Sequence, residues 1–282
     1  MLNLRKITQE ELNEIIENHQ HYINEDCAGW EKMRADLSYM DLSHMDLRYA
    51  NLRYAILSHT NLSYAKLFHT DLSYADLSVA NLDHANLDHA NLSYADLSHA
   101  KLFYALLTYS ILFHTDLSYA DLSYADLSHA SLIESDLSYA SLIESNLSYV
   151  NLTGDYLYYT RLSYSSLFHA YLYHTYLGNA ILDHTDLSYA DLSYASLFHV
   201  NLSYARLCHV ILTSTFLYHA DLTNVHHDDT VSFFPSQFSE KGTVIGYKKP
   251  CDSIIKLQIE EYNKRLSDTT RIKDSDENKW HW

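Results

Sequence analysis

Leucine recurs at every fifth position of this chain from Leu37 to Leu222, without a gap. Neither regular element has this period, because a helix of about 3.6 residues per turn would spread the leucines around its surface and a strand would alternate them between two faces. The period instead predicts a backbone that turns a corner in each five-residue cell, with four cells to one coil of a solenoid. We expect the leucine and the small residue two positions before it to point inward.

The cell reads small residue, Asp or Asn, Leu, Ser, and Tyr or His, as in Ala120-Asp121-Leu122-Ser123-Tyr124. In tandem over residues 35–222, this pattern resembles the pentapeptide repeat proteins. The resemblance implies an all-β solenoid: a right-handed quadrilateral parallel β-helix of about nine and a half coils. Residues twenty apart in the sequence then lie next to each other in adjacent coils.

The N-terminal end of an open solenoid exposes unpaired strand edges and needs a cap. Residues 1–34 predict a helical cap, because Thr8 and Glu11 form a capping-box pattern. Apolar residues and one histidine recur on one face of this predicted helix: Leu12, Ile15, Ile16, His19 and Ile23. We expect the helix to close the first coil.

Residues 223–282 predict a small, partly ordered C-terminal extension that contains two short strands, at residues 244–247 and 254–259. The segments Thr8–Leu12 and Lys241–Lys249 resemble the ends of phage and bacterial pentapeptide repeat proteins of unassigned function. We expect residues 223–260 to act as a cap or a dimer contact and residues 263–282 to be mobile.

The last position of the cell holds tyrosine or histidine at 31 of its 38 sites. At the twenty-residue step, one corner column reads Tyr49, His69, His89, Tyr109, His129, Tyr149, His169, Tyr189 and His209. Stacked rings contribute about 0.5 to 1.5 kcal/mol per favourable pair. We expect stacking to be the role of these columns, and a metal-binding or pH-sensing role of the histidines is the alternative.

Asp155 occupies an inward position that elsewhere is almost always small. Its column also contains Thr115, Ser135 and Thr175. We expect the hydroxyls above and below to satisfy the carboxyl group, because an unpaired buried charge is costly. A local bulge after Gly154 that marks a binding site is the alternative.

One outward side of the predicted solenoid changes character along its length. Its first part carries a column of acidic residues: Asp76, Asp96, Asp116 and Asp136. Its second part is aromatic, at Tyr156, Tyr158, Tyr176, Phe198, Phe216 and Tyr218. A contiguous surface of this type often marks an interface. These residues are therefore the candidate protein interface, and ring stacking without a partner is the alternative.

The formal net charge of the chain is −17, and residues 35–222 hold 19 acidic and 6 basic residues. Nucleic acid is therefore not expected as a direct ligand, because phosphate binding relies on lysine and arginine clusters. No stretch approaches the roughly 18 apolar residues of a membrane span, and no signal peptide is evident. The three cysteines lie far apart, without metal-ligand spacing. These features predict a cytoplasmic protein without membrane contact.

No catalytic constellation stands apart from the repeat background, in which serine, histidine and aspartate are abundant because the cell contains them. The segment His226-His227-Asp228-Asp229 has metal-ligand chemistry, but we expect four adjacent residues of a linker not to converge on one ion. We therefore expect no enzymatic activity, no cofactor and no metal.

The sequence favours a non-catalytic structural or interaction protein whose rigid β-helix presents acidic and aromatic faces. Its partner is an unidentified protein, or a second copy in a homodimer. The resemblance offers an alternative, because some pentapeptide repeat proteins imitate B-form DNA in size and charge and bind type II topoisomerases such as gyrase. The negative charge and the rod shape are compatible with that alternative.

Overall fold

The computed structural model describes residues 4–228 and residue 231. The strands predicted at residues 244–247 and 254–259 lie outside the described residues. Among the residues described, none of the helices combines the length and the apolar character that crossing a membrane requires.

Parallel β-bridges link residues twenty positions apart, from the pair Asp36 and Ile56 to the pair Arg206 and His226. Each side of an internal coil contributes a single bridging residue, paired with one residue in each adjacent coil, rather than a longer strand. The ladder therefore reaches His226, beyond the predicted boundary of the repeat body at residue 222.

Backbone hydrogen bonds join each coil to the coils on both sides of it. The Leu122 N–H donates to the Ser141 carbonyl of the next coil at 2.7 Å, and the Asp121 N–H donates to the Ala100 carbonyl of the preceding coil at 3.0 Å. This alternation gives every side of an internal coil two partners, so the backbone groups of adjacent residues are satisfied in opposite directions.

Each corner is a β-turn whose third residue has a positive φ. In the cell of Leu122, the Ala125 N–H donates to the Leu122 carbonyl at 3.0 Å and Tyr124 has a φ of 61°. The last position of every cell from Tyr39 to Asn224 shares this left-handed conformation. A type II turn requires a positive φ at this residue and normally uses glycine or asparagine. Here the position is mostly tyrosine or histidine.

The interior is filled by the leucines of the repeat, none of which is more than 4% exposed. Alanine, serine and threonine fill the inward positions between them. The buried hydroxyls donate to nearby carbonyls, as from Thr60 to Leu37 at 2.7 Å. Small inward residues therefore keep the coils close together while their buried hydroxyl groups are paired.

The aspartate or asparagine before each leucine stabilises the turn that follows it. In the cell of Leu122, the Asp121 carboxylate accepts a hydrogen bond from the Ser123 N–H at 3.1 Å. A short acceptor side chain that bonds the backbone two residues on is the Asx-turn arrangement. Local geometry thus explains why the cell prefers these two residue types.

Strand β1 (Arg5–Lys6) pairs in parallel with strand β2 (Met40–Asp41) of the first coil. Helix α1 (Gln9–Asn24) follows β1, and a 3-10 helix (Trp30–Lys32) precedes the repeat. The start of α1 has a complete capping box: the Glu11 N–H donates to the Thr8 hydroxyl at 3.2 Å, and the Thr8 N–H donates to the Glu11 carboxylate at 2.8 Å.

Two glutamines of α1 bond the open edge of the first coil in place of a strand. The Gln9 amide nitrogen donates to the Asp46 carbonyl at 2.9 Å, and its amide oxygen accepts from the Asp46 N–H at 2.9 Å. The Gln20 amide nitrogen donates to the Asn51 carbonyl at 3.1 Å. Side-chain amides therefore satisfy edge groups that otherwise face water or a second chain.

His19 makes the third contact of this kind and is fully buried. Its Nδ1 accepts a hydrogen bond from the Ala35 N–H at 3.1 Å, and its Nε2 lies 2.9 Å from the Arg53 carbonyl. This pair of contacts requires the neutral ring, with the proton on Nε2. Burial lowers the pKa of His19, which is consistent with a neutral imidazole.

Candidate interaction surface

One side of the β-helix carries the column that changes from acidic to aromatic. Consecutive bridges connect Asp76, Asp96, Asp116, Asp136, Tyr156, Tyr176, Ser196 and Phe216. The register is unbroken at the change from Asp136 to Tyr156. The acidic and aromatic parts are therefore neighbours on one continuous surface.

The four aspartates of the acidic part each use one carboxylate oxygen to hold the local turn. Each accepts a hydrogen bond from the N–H of the serine two residues on, at 2.8 to 3.0 Å. Because the coils stack about 4.8 Å apart, the column brings like charges close together. This part of the side is thus both structural and strongly negative.

The aromatic part contains two pairs of stacked rings. Tyr156 and Tyr176 stack with their centroids 5.2 Å apart, and Phe198 and Tyr218 stack at 5.3 Å. Tyr156, Tyr176 and Phe198 are 45%, 40% and 41% exposed, respectively. Stacking therefore orders these side chains but leaves much of their apolar surface in solvent.

Gly178 separates the two stacked pairs. A side chain built on Gly178 would place its first carbon 3.1 Å from the Tyr158 ring, which leans over the glycine. Partial burial raises the pKa of the Tyr158 hydroxyl, with the neighbouring tyrosines as a smaller cause. The missing side chain at Gly178 thus permits this position of the Tyr158 ring.

A shallow hollow of about 520 Å³ lies on this aromatic part. Its lining residues are His174, Tyr176, Tyr194, Ser196, Phe198, Phe216 and Tyr218. The small side chain of Ser196 forms part of the lining, between the larger residues of its own column. The volume falls within the roughly 300 to 1,000 Å³ of ligand pockets, although this hollow is open to solvent.

Four of the lining residues belong to the interface predicted from the sequence: Tyr176, Phe198, Phe216 and Tyr218. The rim formed by His174 and Tyr194 was not predicted. These two residues belong to the corner column that precedes the aromatic column. Their twenty-residue register places them beside Tyr176 and Ser196, and that register was the signal that could have found them.

The corner columns outside this surface form long ring stacks. The nine rings from Tyr49 to His209 stack without interruption, with centroids 4.6 to 5.4 Å apart. The rings of neighbouring coils cover each other's faces, which accounts for the recurrence of aromatic residues at a strained backbone position.

Asp155 lies inside the β-helix, directly before the first aromatic residue of the column, and is fully buried. Its Oδ1 accepts a hydrogen bond from the Ser135 N–H at 2.9 Å, whereas its Oδ2 has no partner. The hydroxyls of Ser135 and Thr175 donate instead to backbone carbonyls of their own column's turns. The hydroxyl groups expected to pair with this carboxyl group therefore do not.

Burial raises the pKa of Asp155 well above its ordinary value. The backbone hydrogen bond from Ser135 opposes this shift but is the smaller effect. Bridges continue at the twenty-residue step through Asn151 and Tyr156, so a bulge after Gly154 is absent from this part of the described ladder. Asp155 is thus a destabilising feature of the interior rather than part of the surface.

Of the segment at residues 226–229, which we expect not to converge on one ion, residue 229 lies outside the described residues. His226 forms a bridge with Arg206, and the His227 Nδ1 lies 3.2 Å from the Asp228 carbonyl oxygen. The Asp228 carboxylate lies 3.2 Å from the His209 ring. The segment therefore makes structural contacts in the last coil.

Comparison with known proteins gives a family match over much of the repeat body. The model described as pentapeptide repeats matches eight copies, over residues 33–63, 65–102, 110–148, 165–203 and 190–226. No curated protein matches the chain.

Several solved structures are similar to this chain. HetL, a pentapeptide repeat protein involved in heterocyst differentiation regulation from the cyanobacterium Nostoc sp. strain PCC 7120, is 30% identical; 75% of this chain and 96% of HetL are covered, with a TM-score of 0.39. QnrB1, a plasmid-mediated fluoroquinolone resistance protein, is 16% identical, with 70% and 91% covered and a TM-score of 0.38. The family match, which covers more than half of the chain, shows that this chain is a member of the pentapeptide repeat family.

Proposed function

We propose that this protein is a non-catalytic interaction scaffold whose aromatic surface docks a protein partner in the cytoplasm. We define the aromatic surface as Tyr156, Tyr158, Tyr176, Phe198, Phe216 and Tyr218, together with the hollow between them. The observation that carries the proposal is this hollow, because a surface that only stabilised the coils would have no need of it.

The stacked pairs on either side of Gly178 support this interpretation. Stacking fixes these rings before binding. Binding a partner therefore costs the ring side chains little conformational entropy. Tyrosine and phenylalanine are also enriched at the centres of protein interfaces. A side chain of the partner inserted above Ser196 would be surrounded by ordered rings.

The acidic column indicates what chemistry the partner has. Asp76 to Asp136 lie on the same side as the aromatic surface, and the two parts meet between Asp136 and Tyr156. A partner that covers this junction needs apolar anchors for the hollow and lysine or arginine residues opposite the aspartates. A second copy of this chain could supply the apolar anchors. Its own column of aspartates would, however, be repelled by Asp76 to Asp136.

A DNA-mimic regulator that binds a type II topoisomerase is the alternative proposal. Its support is the charge of −17 and membership of the same family as QnrB1, whose name describes a fluoroquinolone resistance protein. The aromatic surface is not required by this alternative, since imitation of DNA depends on the acidic residues. The first proposal therefore requires the aromatic surface for binding, whereas the alternative requires the acidic column.

A pull-down from bacterial lysate separates these proposals. The baits are the full chain, the triple variant Tyr156→Ser, Tyr176→Ser, Phe216→Ser, and a control triple variant of exposed tyrosines on other columns, Tyr49→Ser, Tyr64→Ser, Tyr164→Ser. We expect a specific protein that the full chain and the control variant capture and that the aromatic variant loses. Light scattering of the same three proteins tests whether that protein is a second copy.

A partner that binds all three baits equally would contradict the aromatic docking surface. If that partner is a topoisomerase subunit and is lost when Asp76, Asp96, Asp116 and Asp136 are changed to asparagine, the DNA-mimic alternative holds instead. Thermal unfolding of each bait checks that lost capture does not reflect lost folding.

A further inference from the structure

Three different metal-ligating side chains meet where α1 ends. His21 lies in the last turn of the helix, and Glu25 turns the chain back through a left-handed conformation with a φ of 54°. This reversal brings Asp26 and Cys27 next to His21. One ligand atom from each, the His21 and Cys27 donors and a carboxylate oxygen of Asp26, all lie within 4.8 Å of one another.

Two contacts restrain the donor side chains of this cluster near one another. The His21 Nδ1 lies 2.7 Å from the Asp26 Oδ1. The Cys27 Sγ lies 3.7 Å from the Met33 Sδ, so a thioether packs against the thiol. The His21 and Asp26 side chains are 45% and 46% exposed, respectively, which leaves the cluster open to solvent on one side.

We propose that His21, Asp26 and Cys27 form a zinc-binding site that locks the N-terminal cap. Imidazole, carboxylate and thiolate are the three protein ligand types of zinc, at about 2.0 to 2.3 Å from the ion. Tetrahedral coordination at these lengths places ligand atoms roughly 3.3 to 3.8 Å apart, so small side-chain movements close the site. Water occupies the fourth position on the exposed side.

The site has a structural consequence because of its place in the chain. It joins the end of α1 to the loop that leads through Gly29 and the 3-10 helix to Ala35, the first buried residue of the repeat. An ion bound there restrains the segment on both sides of the reversal. Zinc therefore stabilises the contact between α1 and the first coil, since a ligand that binds only the folded state shifts folding by mass action.

Zinc binding releases one proton. Cys27 loses its thiol proton to solvent when the sulfur binds the ion. His21 binds through Nδ1 and keeps one proton by moving it to Nε2, while Asp26 is already ionised and contributes none. Zinc brings two positive charges and the released proton removes one, so the net charge of the cluster rises by one.

The exposed histidines of the repeat complicate any simple measurement of metal binding. Cobalt(II) solves this difficulty, because a thiolate bound to cobalt gives a charge-transfer absorption in the near ultraviolet that histidine and carboxylate ligands do not give. We titrate cobalt into the reduced full chain and displace it with zinc. The expected result is one thiolate-bound cobalt per chain, with the visible bands of tetrahedral geometry.

The assignment is tested with cysteine variants. Cys27→Ser abolishes the charge-transfer absorption, whereas the control variants Cys208→Ser and Cys251→Ser keep it. His21→Asn and Asp26→Asn weaken binding by more than the roughly 10- to 100-fold typical of losing an outer-shell partner. Absence of the absorption in the unaltered chain, or its persistence in Cys27→Ser, would overturn the proposal.

A second measurement avoids variants that fail to fold. In the unaltered chain, zinc slows alkylation of Cys27 by iodoacetamide and leaves the rate at Cys208 unchanged, as read by mass spectrometry of peptides. Equal rates at Cys27 with zinc and with chelator would contradict the site. The outcome is independent of the aromatic surface and of its partner.

Discussion

At the scale of single residues, the ring columns balance two effects of similar size. A left-handed backbone costs an ordinary residue about 1 to 2 kcal/mol relative to the right-handed region, and each stacked pair returns roughly 0.5 to 1.5 kcal/mol. A ring inside a column has two stacked neighbours. The tyrosines and histidines therefore offset the strain that they themselves introduce at the corners.

The difference between two tyrosine-to-asparagine variants measures the stacking. Tyr109 has a stacked ring on both sides, at His89 and His129, whereas Tyr159 stacks on Tyr139 and is followed in its column by Asn179. Both tyrosines have a φ near 60° (56° and 59°), so relief of backbone strain is matched. We expect Tyr109→Asn to lose about 0.5 to 1.5 kcal/mol more unfolding free energy than Tyr159→Asn.

Chemical denaturation with fits to the linear extrapolation method gives the two free energies. Equal losses in the two variants would mean that stacking across coils adds nothing measurable to the stability of the columns.

Asp155 gives the β-helix a pH-dependent weakness. Because the pKa of this carboxyl is raised in the folded state, the folded chain holds a proton that the unfolded chain has released at the same pH. Its contribution to stability is present below the ordinary pKa of 3.8 and is lost as pH rises towards the folded-state pKa. Asp155→Thr removes this loss and restores a residue type that the column already contains.

We expect Asp155→Thr to be more stable than the unaltered chain at pH 7 by about 1 to 3 kcal/mol, with a smaller difference at pH 4. Asp136→Thr, the same substitution at a partly exposed aspartate of the neighbouring column, serves as the control for the change of side chain. Melting temperatures at both pH values check the prediction, and a difference that does not change with pH would contradict it.

At the scale of elements, the N-terminal cap depends on side chains that act like a strand. The sequence predicted a helix with a capping box and an apolar face, and these features follow from local spacing. The contacts of Gln9 and Gln20 with the first coil could not be predicted in this way. They join side-chain amides to backbone groups more than thirty positions away, and nothing in the local pattern marks an amide as an edge partner.

Acid weakens the attachment of α1 to the first coil. His19 must be neutral to accept the Ala35 N–H, and its pKa is lowered by burial. Its contribution is therefore present above the ordinary pKa of 6.5 and is lost as pH falls through the lower folded-state pKa. We expect protection of the α1 amides from hydrogen exchange, corrected for intrinsic rates, to fall between pH 7 and pH 5 relative to amides near Leu122.

The variant His19→Gln, which offers a donor and an acceptor without titrating, flattens this pH dependence. The variant His99→Gln changes an exposed ring of a corner column and leaves the dependence in place. Protection of α1 that is constant with pH in the unaltered chain would show that His19 does not control the cap.

At the scale of the whole molecule, the twenty-residue register made most of the architecture predictable. Leucine periodicity placed the interior, and the same register aligned the acidic and aromatic columns on one side. The positive φ of the corners was not predicted, because most corner residues are tyrosine or histidine, which do not favour a left-handed backbone. Gly154 and Asn179, at the same position of the cell, are of the residue types that do favour it. The hollow was missed for a related reason: it lies over the small side chain of Ser196, which a search for chemical groups overlooks.

The proposed contact between the hollow of the aromatic surface and a protein can be tested directly. A photoreactive phenylalanine analogue replaces Phe198, which lines the hollow, and the same analogue at Phe113, an exposed ring on another side of the β-helix, is the control. After illumination in bacterial lysate, we expect a covalent adduct of discrete mass from position 198 and none from position 113. Identical products from both positions, or no adduct from either, would contradict the proposed contact.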